Sequence, residues 1–425
     1  MGAVTVVHAL VAVLLGVLTF AVTRRSLGAG VAIVLVSLVC AESSVSRLTA
    51  VFLTARWGAL FGFAALLVPR EFKEVRSIPR RVLLLAALPV AAFVSIAWSV
   101  EPTLTLQRAV AFTLLVVTTL GAALAVRRAG RLELVEGIAA STVAVLGLSL
   151  AVVLLSNAGT ANSQLHGVFQ NPNGLGLYVG LTAPAVLAVL DDRGLGRWAL
   201  VVLGGAAAIT IGSQSRSGMV ALAIGVVAYE LGLRHRRLFV VTGSVVAAGL
   251  VAGLLVVALR AEHAADQPSH VPPESWIERV TGARTEAWTA TARLIRMRPA
   301  LGYGFGTGDR LFARASPPIY FAHFDGDNPN DAYLQLALEL GLVGFVLGIA
   351  AAAVAGARAV TVGIRRPLDI SEAAVAGILV GALFVAIVES IFTSPGAPWA
   401  FLVWCSSSVV LVSFRDVPRQ PGRPA

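Results

Sequence analysis

At the mouth of one long apolar run, His323-Phe324-Asp325-Gly326-Asp327-Asn328-Pro329-Asn330-Asp331 gathers three carboxylates and an imidazole. Such a group can supply a general base for a hydroxyl nucleophile, provided burial or neighbouring charge lifts a carboxyl pKa toward working pH. The Asp325-x-Asp327 pair lacks the spacing of a calcium loop, so no metal site is expected. Asn330 and Asp331 also stand where a helix cap belongs, a structural use that both residue types satisfy. Glu339 lies two turns further along the same run, and Glu389 near the external end of the next. An acid at membrane depth is costly, so both are expected to face one polar cavity.

Arg108 and Arg216 are candidates for a different task. Arg108 follows Trp98-Ser99-Val100-Glu101-Pro102 in the first turn of an apolar run, and Arg216 sits in the tight turn Ser213-Gln214-Ser215-Arg216-Ser217-Gly218. A guanidinium at a membrane edge presents a rigid fork of donors suited to phosphate oxygens. The alternative is that each snorkels to the interface or pairs with an acid such as Glu101. The loop from 157 to 173 carries no acid or base other than His166 and ends in Asn171-Pro172-Asn173-Gly174, which is turn chemistry. Asn173 is expected to cap a helix starting at Gly174, and its amide equally suits sugar hydroxyls. His166 reads as a bystander.

These groups need elements to hold them, and the elements are membrane spans. The chain is 57% hydrophobic and 13% charged, its mean hydropathy is +0.83, and apolar runs of span length recur from end to end. An all-α polytopic membrane protein of 12–13 transmembrane helices is expected. Residues 1–259 hold about ten spans, 260–330 form one large polar loop, 331–414 hold three more, and 415–425 are a tail. The count stays at twelve or thirteen because the run 27–41 is short and the run 50–68 carries Arg56.

The net charge of +10 does not indicate nucleic acid, since the basic residues cluster in short segments between apolar runs, where topology signals belong. Alternation of these clusters places the 260–330 loop outside the cytoplasm and the C-terminus inside. The expected location is the cytoplasmic (inner) membrane. Cys40 and Cys405 both fall within apolar runs, so neither a disulfide framework nor a thiolate metal site is indicated. The first run, Val4 to Val22, lacks a basic leader and a small-residue cleavage site and reads as a span.

Within the loop, Pro268, Pro272 and Pro273 precede a stretch from Glu274 to Arg298 with Trp276, Ile277, Val280, Trp288 and Leu294 at helical spacing. Arg284, Arg293, Arg296 and Arg298 decorate it. Such a helix either lies along the bilayer surface or packs over the membrane domain with a solvated basic face. Gly302, Gly304, Gly306 and Gly308 then alternate. No strand precedes them and no Lys-Ser/Thr follows, so a mobile turn is expected rather than a nucleotide loop.

Several of these segments together resemble the O-antigen ligase and polymerase superfamily. The resemblance is carried by Asn330-Asp331-Ala332-Tyr333-Leu334-Gln335 followed by Glu339-Leu340-Gly341-Leu342-Val343-Gly344. Ser95 with Trp98-Ser99, Gly167-x-Phe169-x-Asn171-Pro172-Asn173, Ser215-Arg216, and Arg284-x-x-x-Trp288 running to Arg298-Pro299-x-x-Gly302-x-Gly304 agree in order and spacing. It covers roughly residues 80 to 400, and the long loop ahead of three final spans is also the family's layout. The resemblance implies an inverting glycosyltransferase that needs no cofactor and no metal. Its partners would be a polyprenyl-diphosphate-linked oligosaccharide, an acceptor glycan or glycolipid, and the lipid bilayer.

On this resemblance Arg216 and Arg284 bind the diphosphate, with Arg108 beside them, while Asn173, Asn330, Glu339 and Glu389 hold glycan or support the site. The sequence departs from the ligase motif at its histidine, where Asn330 stands. An amide cannot act as a base, so the role falls to Asp331, or else to His323 or Asp327. The other function classes open to such a chain are a secondary transporter or flippase using Glu339 and Glu389, and a membrane scaffold without catalysis.

Overall fold

The computed structural model describes residues 3–74, 79–156, 159–161, 164–234, 284–314 and 329–414. In chain order the helices are α1 (Ala3–Thr23), α2 (Leu27–Ala41), α3 (Ser46–Glu74), α4 (Leu83–Val94), α5 (Pro102–Ala129), α6 (Arg131–Leu155), α7 (Pro172–Asp192), α8 (Ala199–Gly212) and α9 (Arg216–Leu233). After these come α10 (Arg284–Met297), α11 (Gly308–Arg314), α12 (Ala332–Arg365), α13 (Ile370–Val385) and α14 (Pro398–Ser413). A two-stranded ribbon, Thr160–Ala161 with Gln164–Leu165, is the one sheet among the described residues. In hydrocarbon no water is available to the backbone, so apolar runs of this length close their own hydrogen bonds as helices.

Eight of the described helices are long and apolar enough to cross a membrane, and four shorter apolar helices (27–41, 196–212, 370–385 and 398–413) join them. The all-α polytopic expectation is met. The expected span at 238–259 lies outside the described residues. Small residues let the helices approach closely, as is usual where lipid removes the hydrophobic drive between them. A Cβ on Gly180 of α7 would stand 2.3 Å from the Gly218 carbonyl oxygen of α9, and one on Gly377 of α13 would stand 2.6 Å from that of Gly225. Helices α7, α9 and α13 therefore meet backbone to backbone.

The basic clusters do more than mark topology. The last carbonyls of α14 have no intrahelical partner, and four arginines from elsewhere in the chain supply donors. Arg358 Nε donates to Val410 O (3.2 Å), Arg81 Nε to Leu411 O (2.7 Å), Arg127 Nη2 to Val412 O (3.1 Å) and Arg131 Nη1 to Ser413 O (3.3 Å). Cations at a helix C-terminus are also favoured by its dipole. This collar gathers α4, α5, α6, α12 and α14 at one end of the bundle, and the chemistry-bearing residues lie at the other.

Candidate functional site

Helix α12 is broken. Gly341 adopts φ 64° and ψ −157° in the middle of it, a left-handed conformation that glycine tolerates without steric cost. The break frees carbonyls that must find donors away from water, and a strap from residues 298 to 308 supplies them. Tyr303 N donates to Leu338 O (3.1 Å) and Gly304 N to Glu339 O (2.8 Å), while Leu342 N donates to Pro299 O (2.8 Å). The strap is in turn stitched to the start of α5. Phe305 N donates to Ser95 Oγ (3.0 Å), Trp98 Nε1 to Leu301 O (2.8 Å) and Val100 N to Tyr303 O (3.0 Å).

The expected mobile turn is thus a buried, hydrogen-bonded segment, with residues 302–308 all buried. Its glycines are spaced by packing: a Cβ on Gly304 would lie 2.3 Å from Ser99 Oγ, and one on Gly302 2.6 Å from the backbone at Leu338 and Glu339.

Glu339 does not open onto a cavity as expected. It is fully buried, Oε2 accepts from Gly306 N (2.8 Å), and Oε1 accepts from Gln335 Nε2 (3.0 Å). Backbone and amide N–H groups, rather than solvent, solvate this acid. By holding Gly306 it fixes the next step, since Arg108 Nη1 donates to Gly306 O. The acid that pairs with Arg108 is Asp309, at 3.0 Å (Nη1 to Oδ1) and 2.7 Å (Nη2 to Oδ2). Such bidentate pairing is the strong form of a guanidinium–carboxylate contact.

Beside this pair lies a cleft of about 850 Å³, bounded by α3, α5, the start of α11, α12 and the segment 390–397. Arg56 of α3 forms its second cationic point. Arg56 Nη1 donates to Gly396 O (3.0 Å) and stands 3.8 Å from Glu42 Oε1, and the guanidinium lies 5.2 Å from the Trp57 ring centroid. Burial pushes the Glu42 carboxyl up, and the Arg56 charge pulls it back only in part.

Glu389 was expected in this cavity. The lining there comes instead from Ser390, Thr393 and Ser394, with Glu389 half-buried alongside.

Asp331 caps α12. Its Oδ1 accepts from Tyr333 N (2.8 Å) and Leu334 N (2.9 Å), and the residue is 9% exposed. Burial pushes its carboxyl pKa up against those two hydrogen bonds, which pull it down. Both bonds fall on one oxygen, Oδ1. Asn330 precedes it at φ 48°, and Ala332 N donates to Ala386 O (2.8 Å), tying this corner to the end of α13.

A second corner forms where α7 meets α9. The cap of α7 is Asn171 rather than Asn173, because the helix starts at Pro172 and Asn171 Oδ1 accepts from Asn173 N (2.9 Å). Asn173 offers its carbonyl to Ser215 Oγ (3.2 Å), and Ser215 caps α9 at Arg216. Arg216 and Asn173 therefore share one corner, with Arg216 half-buried. The adjoining loop is fixed from two sides: Ser44 N donates to Val168 O (2.7 Å), and Gln170 N to Glu42 O (2.9 Å).

Segments distant in sequence are thus brought together, and part of this arrangement falls in the stretch that the family comparison covers. Residues 198–349 match the family model described as O-antigen ligase. That match supports membership of the O-antigen ligase superfamily. No curated protein matches the chain significantly.

The O-antigen ligase region begins at the turn before α8 and ends within α12, so it contains Arg216, Arg284, the strap, Asp331 and Glu339. It supports an O-antigen ligase-like or polymerase-like role in the membrane. Helix α10 opens at Arg284 within this region, and its Ala287, Ala290, Thr291 and Leu294 are buried. Ala290 and Leu294 pack with Tyr303, Phe312 and Leu338, so α10 sits over α12 rather than apart from it. The Arg284 side chain, His323 and Asp327 lie outside the described residues.

Sequence reasoning passed over Asp309, Gln335, Glu42 and Arg56 as site residues. Arg56 carried a signal, a lone arginine inside the run 50–68, which entered only the span count.

Proposed function

We propose that this protein transfers or polymerises a polyprenyl-diphosphate-linked glycan onto an acceptor hydroxyl at the outer face of the cytoplasmic membrane. The observation that carries this is the O-antigen ligase match over 198–349, which spans Arg216, Arg284 and Asp331. The acceptor hydroxyl gives its proton to Asp331 Oδ2 as its oxygen bonds the anomeric carbon from the face opposite the leaving group. The bond from that carbon to the diphosphate oxygen breaks, and the electron pair leaves with the polyprenyl diphosphate. Configuration inverts.

Arg216 and Arg284 neutralise the charge that grows on the leaving group, the kind of electrostatic help that often supplies the largest catalytic contribution. Arg108, whose charge Asp309 balances, serves better as an organiser of the strap than as a diphosphate ligand. His323 and Asp327 stand as alternative bases, and Asn173, Asn330 and Glu389 as polar support around the glycan.

A broken membrane helix is also a feature of transporters, where the freed carbonyls hold ions. Here the Leu338 and Glu339 carbonyls are taken by Tyr303 N and Gly304 N, which favours transfer over transport.

The test is the glycan profile of a host strain lacking this gene, sized by gel and mass spectrometry. Single repeat units accumulating on polyprenyl diphosphate identify a polymerase, and long chains left on the carrier identify a ligase. An unchanged profile refutes the proposal.

A further inference from the structure

The cleft between α3 and α5 holds polar atoms that the fold leaves unused. Arg56 Nε, Gln335 Oε1 and Thr393 Oγ1 are buried with no hydrogen-bond partner among the described residues. All three residues line the cleft, and Gln335 and Thr393 are 8% and 5% exposed. Buried polar groups without partners cost free energy and are rare in native structures, so three around one cleft point to a ligand that completes them.

Their chemistry identifies its class. Arg56 Nε can only donate, Gln335 Oε1 can only accept, and the Thr393 hydroxyl does either. A phosphate only accepts and would be repelled by Gln335 Oε1 and by the carboxylates of Glu42 and Asp309. A sugar hydroxyl does both.

The charges also balance in pairs, Arg56 with Glu42 and Arg108 with Asp309, so the space among these residues calls for a neutral group. Trp57 adds an aromatic face of the kind that packs on sugar rings. The remaining wall is apolar. Leu106, Val110 and Leu114 line the cleft at four-residue steps on α5, a stripe about 12 Å long at helical rise. Leu106 and Val110 are 46% and 52% exposed.

We propose that this cleft is the acceptor site, taking the terminal sugar of a lipid-linked glycan among Arg56, Trp57, Gln335 and Thr393 while the lipid chain runs along the α5 stripe. This rests on the transferase function proposed above and assigns its second substrate a place and a class, a neutral sugar on a membrane-anchored carrier.

The test uses full-length protein in nanodiscs, with a photo-crosslinking residue in place of Gln107, which lines the cleft, or of Leu231, which is exposed on α9 near the opposite end. The probe is tritiated lipid-linked oligosaccharide extracted from the host. Labelling at position 107 well above that at 231 is expected. Adding Thr393→Val, which keeps side-chain size, should cut it about tenfold, the scale of one buried hydrogen bond. Trp57→Ala should do the same.

Equal labelling at the two positions, or labelling that neither substitution lowers, overturns the proposal. The two proposals fail separately. Labelling without release of polyprenyl diphosphate would leave the cleft standing and remove the transferase. Release without labelling would do the reverse.

Discussion

In the proposed mechanism Asp331 has two jobs on its two oxygens, and Asp331→Asn separates them. As a cap, Oδ1 holds the Tyr333 and Leu334 amides at 2.8 and 2.9 Å. Asparagine caps about as well as aspartate, so what is lost is the charge–dipole contribution, about 0.3–1 kcal/mol. Relief of a buried charge opposes that loss, since burial already pushes this carboxyl up. Melting of the variant should therefore stay within about 1 kcal/mol of the parent.

As a base, the amide that replaces Oδ2 cannot take a proton. The rate should fall by about 10²–10⁴-fold, the usual worth of general-base catalysis. That is about 2.7–5.5 kcal/mol of barrier. Asp331→Ala should lose the rate and in addition about 1 kcal/mol of stability, because it removes the cap as well. The assay is polyprenyl diphosphate release by the reconstituted full-length protein from lipid-linked oligosaccharide extracted from the host, with a thermal melt alongside.

The base must be ionised, so the rate should drop as pH falls through the raised Asp331 pKa, an acid limb above the ordinary aspartate range. For stability the sign is opposite. A carboxyl raised in the folded state contributes stability below its unfolded pKa and loses it as pH rises through the folded value, a dependence that Asp331→Asn should remove. A rate for Asp331→Asn within about twofold of the parent, where general-base loss demands a hundredfold or more, would take Asp331 out of the mechanism.

Gly341→Ala places a side chain at φ 64° with its Cβ 2.3 Å from the Ala300 carbonyl oxygen, so a loss of at least about 1–3 kcal/mol is expected, read as a lowered melting temperature. Glu339→Leu strips the acceptor from Gly306 N and from Gln335. It should cost about 1–3 kcal/mol per orphaned group and expose the strap to protease before the bundle melts. Arg358→Ala removes donors to Val410 O and Phe414 O. It should lower the melting temperature by an amount equivalent to about 1–3 kcal/mol while leaving glycan chain length unchanged in cells.

The spans were legible because the bilayer makes a demand that the sequence must meet locally: each apolar run has to close its own backbone. The run at 104–126 needs no partner to be recognised, and α5 covers it. Caps were legible in kind but not always in place. Asn-Pro-Asn-Gly announced a helix start, and proline at the first helical position moved the cap two residues back, to Asn171. The basic clusters carried two meanings at once. Arg81, Arg127, Arg131 and Arg358 mark one end by topology and also cap α14, but their acceptors lie 52 to 330 positions away. No local pattern could reveal that.

The same distance hid Arg56, whose carbonyl partner Gly396 lies 340 positions on. Composition shows only that an arginine is out of place in an apolar run.

The strap shows where local signals mislead. Alternating glycines announce backbone freedom, and freedom serves a mobile turn as well as a segment that must pass within van der Waals distance of other backbone. What distinguishes the two is whether the neighbouring N–H groups have somewhere to go. Here they go to the break at Gly341 and to Glu339. A membrane-depth acid suggests a polar cavity because an acid needs solvation, yet the N–H of Gly306 and the amide of Gln335 solvate it without one. The three features depend on one another. Glycine at 341 opens the helix, the open carbonyls draw in the strap, and the strap brings the donors that make Glu339 tolerable. Ser95 and Trp98 anchor the same strap from the connection between α4 and α5, so the scattered motifs at 95–99, 298–308 and 339–344 are parts of a single joint. That joint sets the position of Arg108 and Asp309 at the edge of the cleft, and a substitution anywhere in it should be felt there.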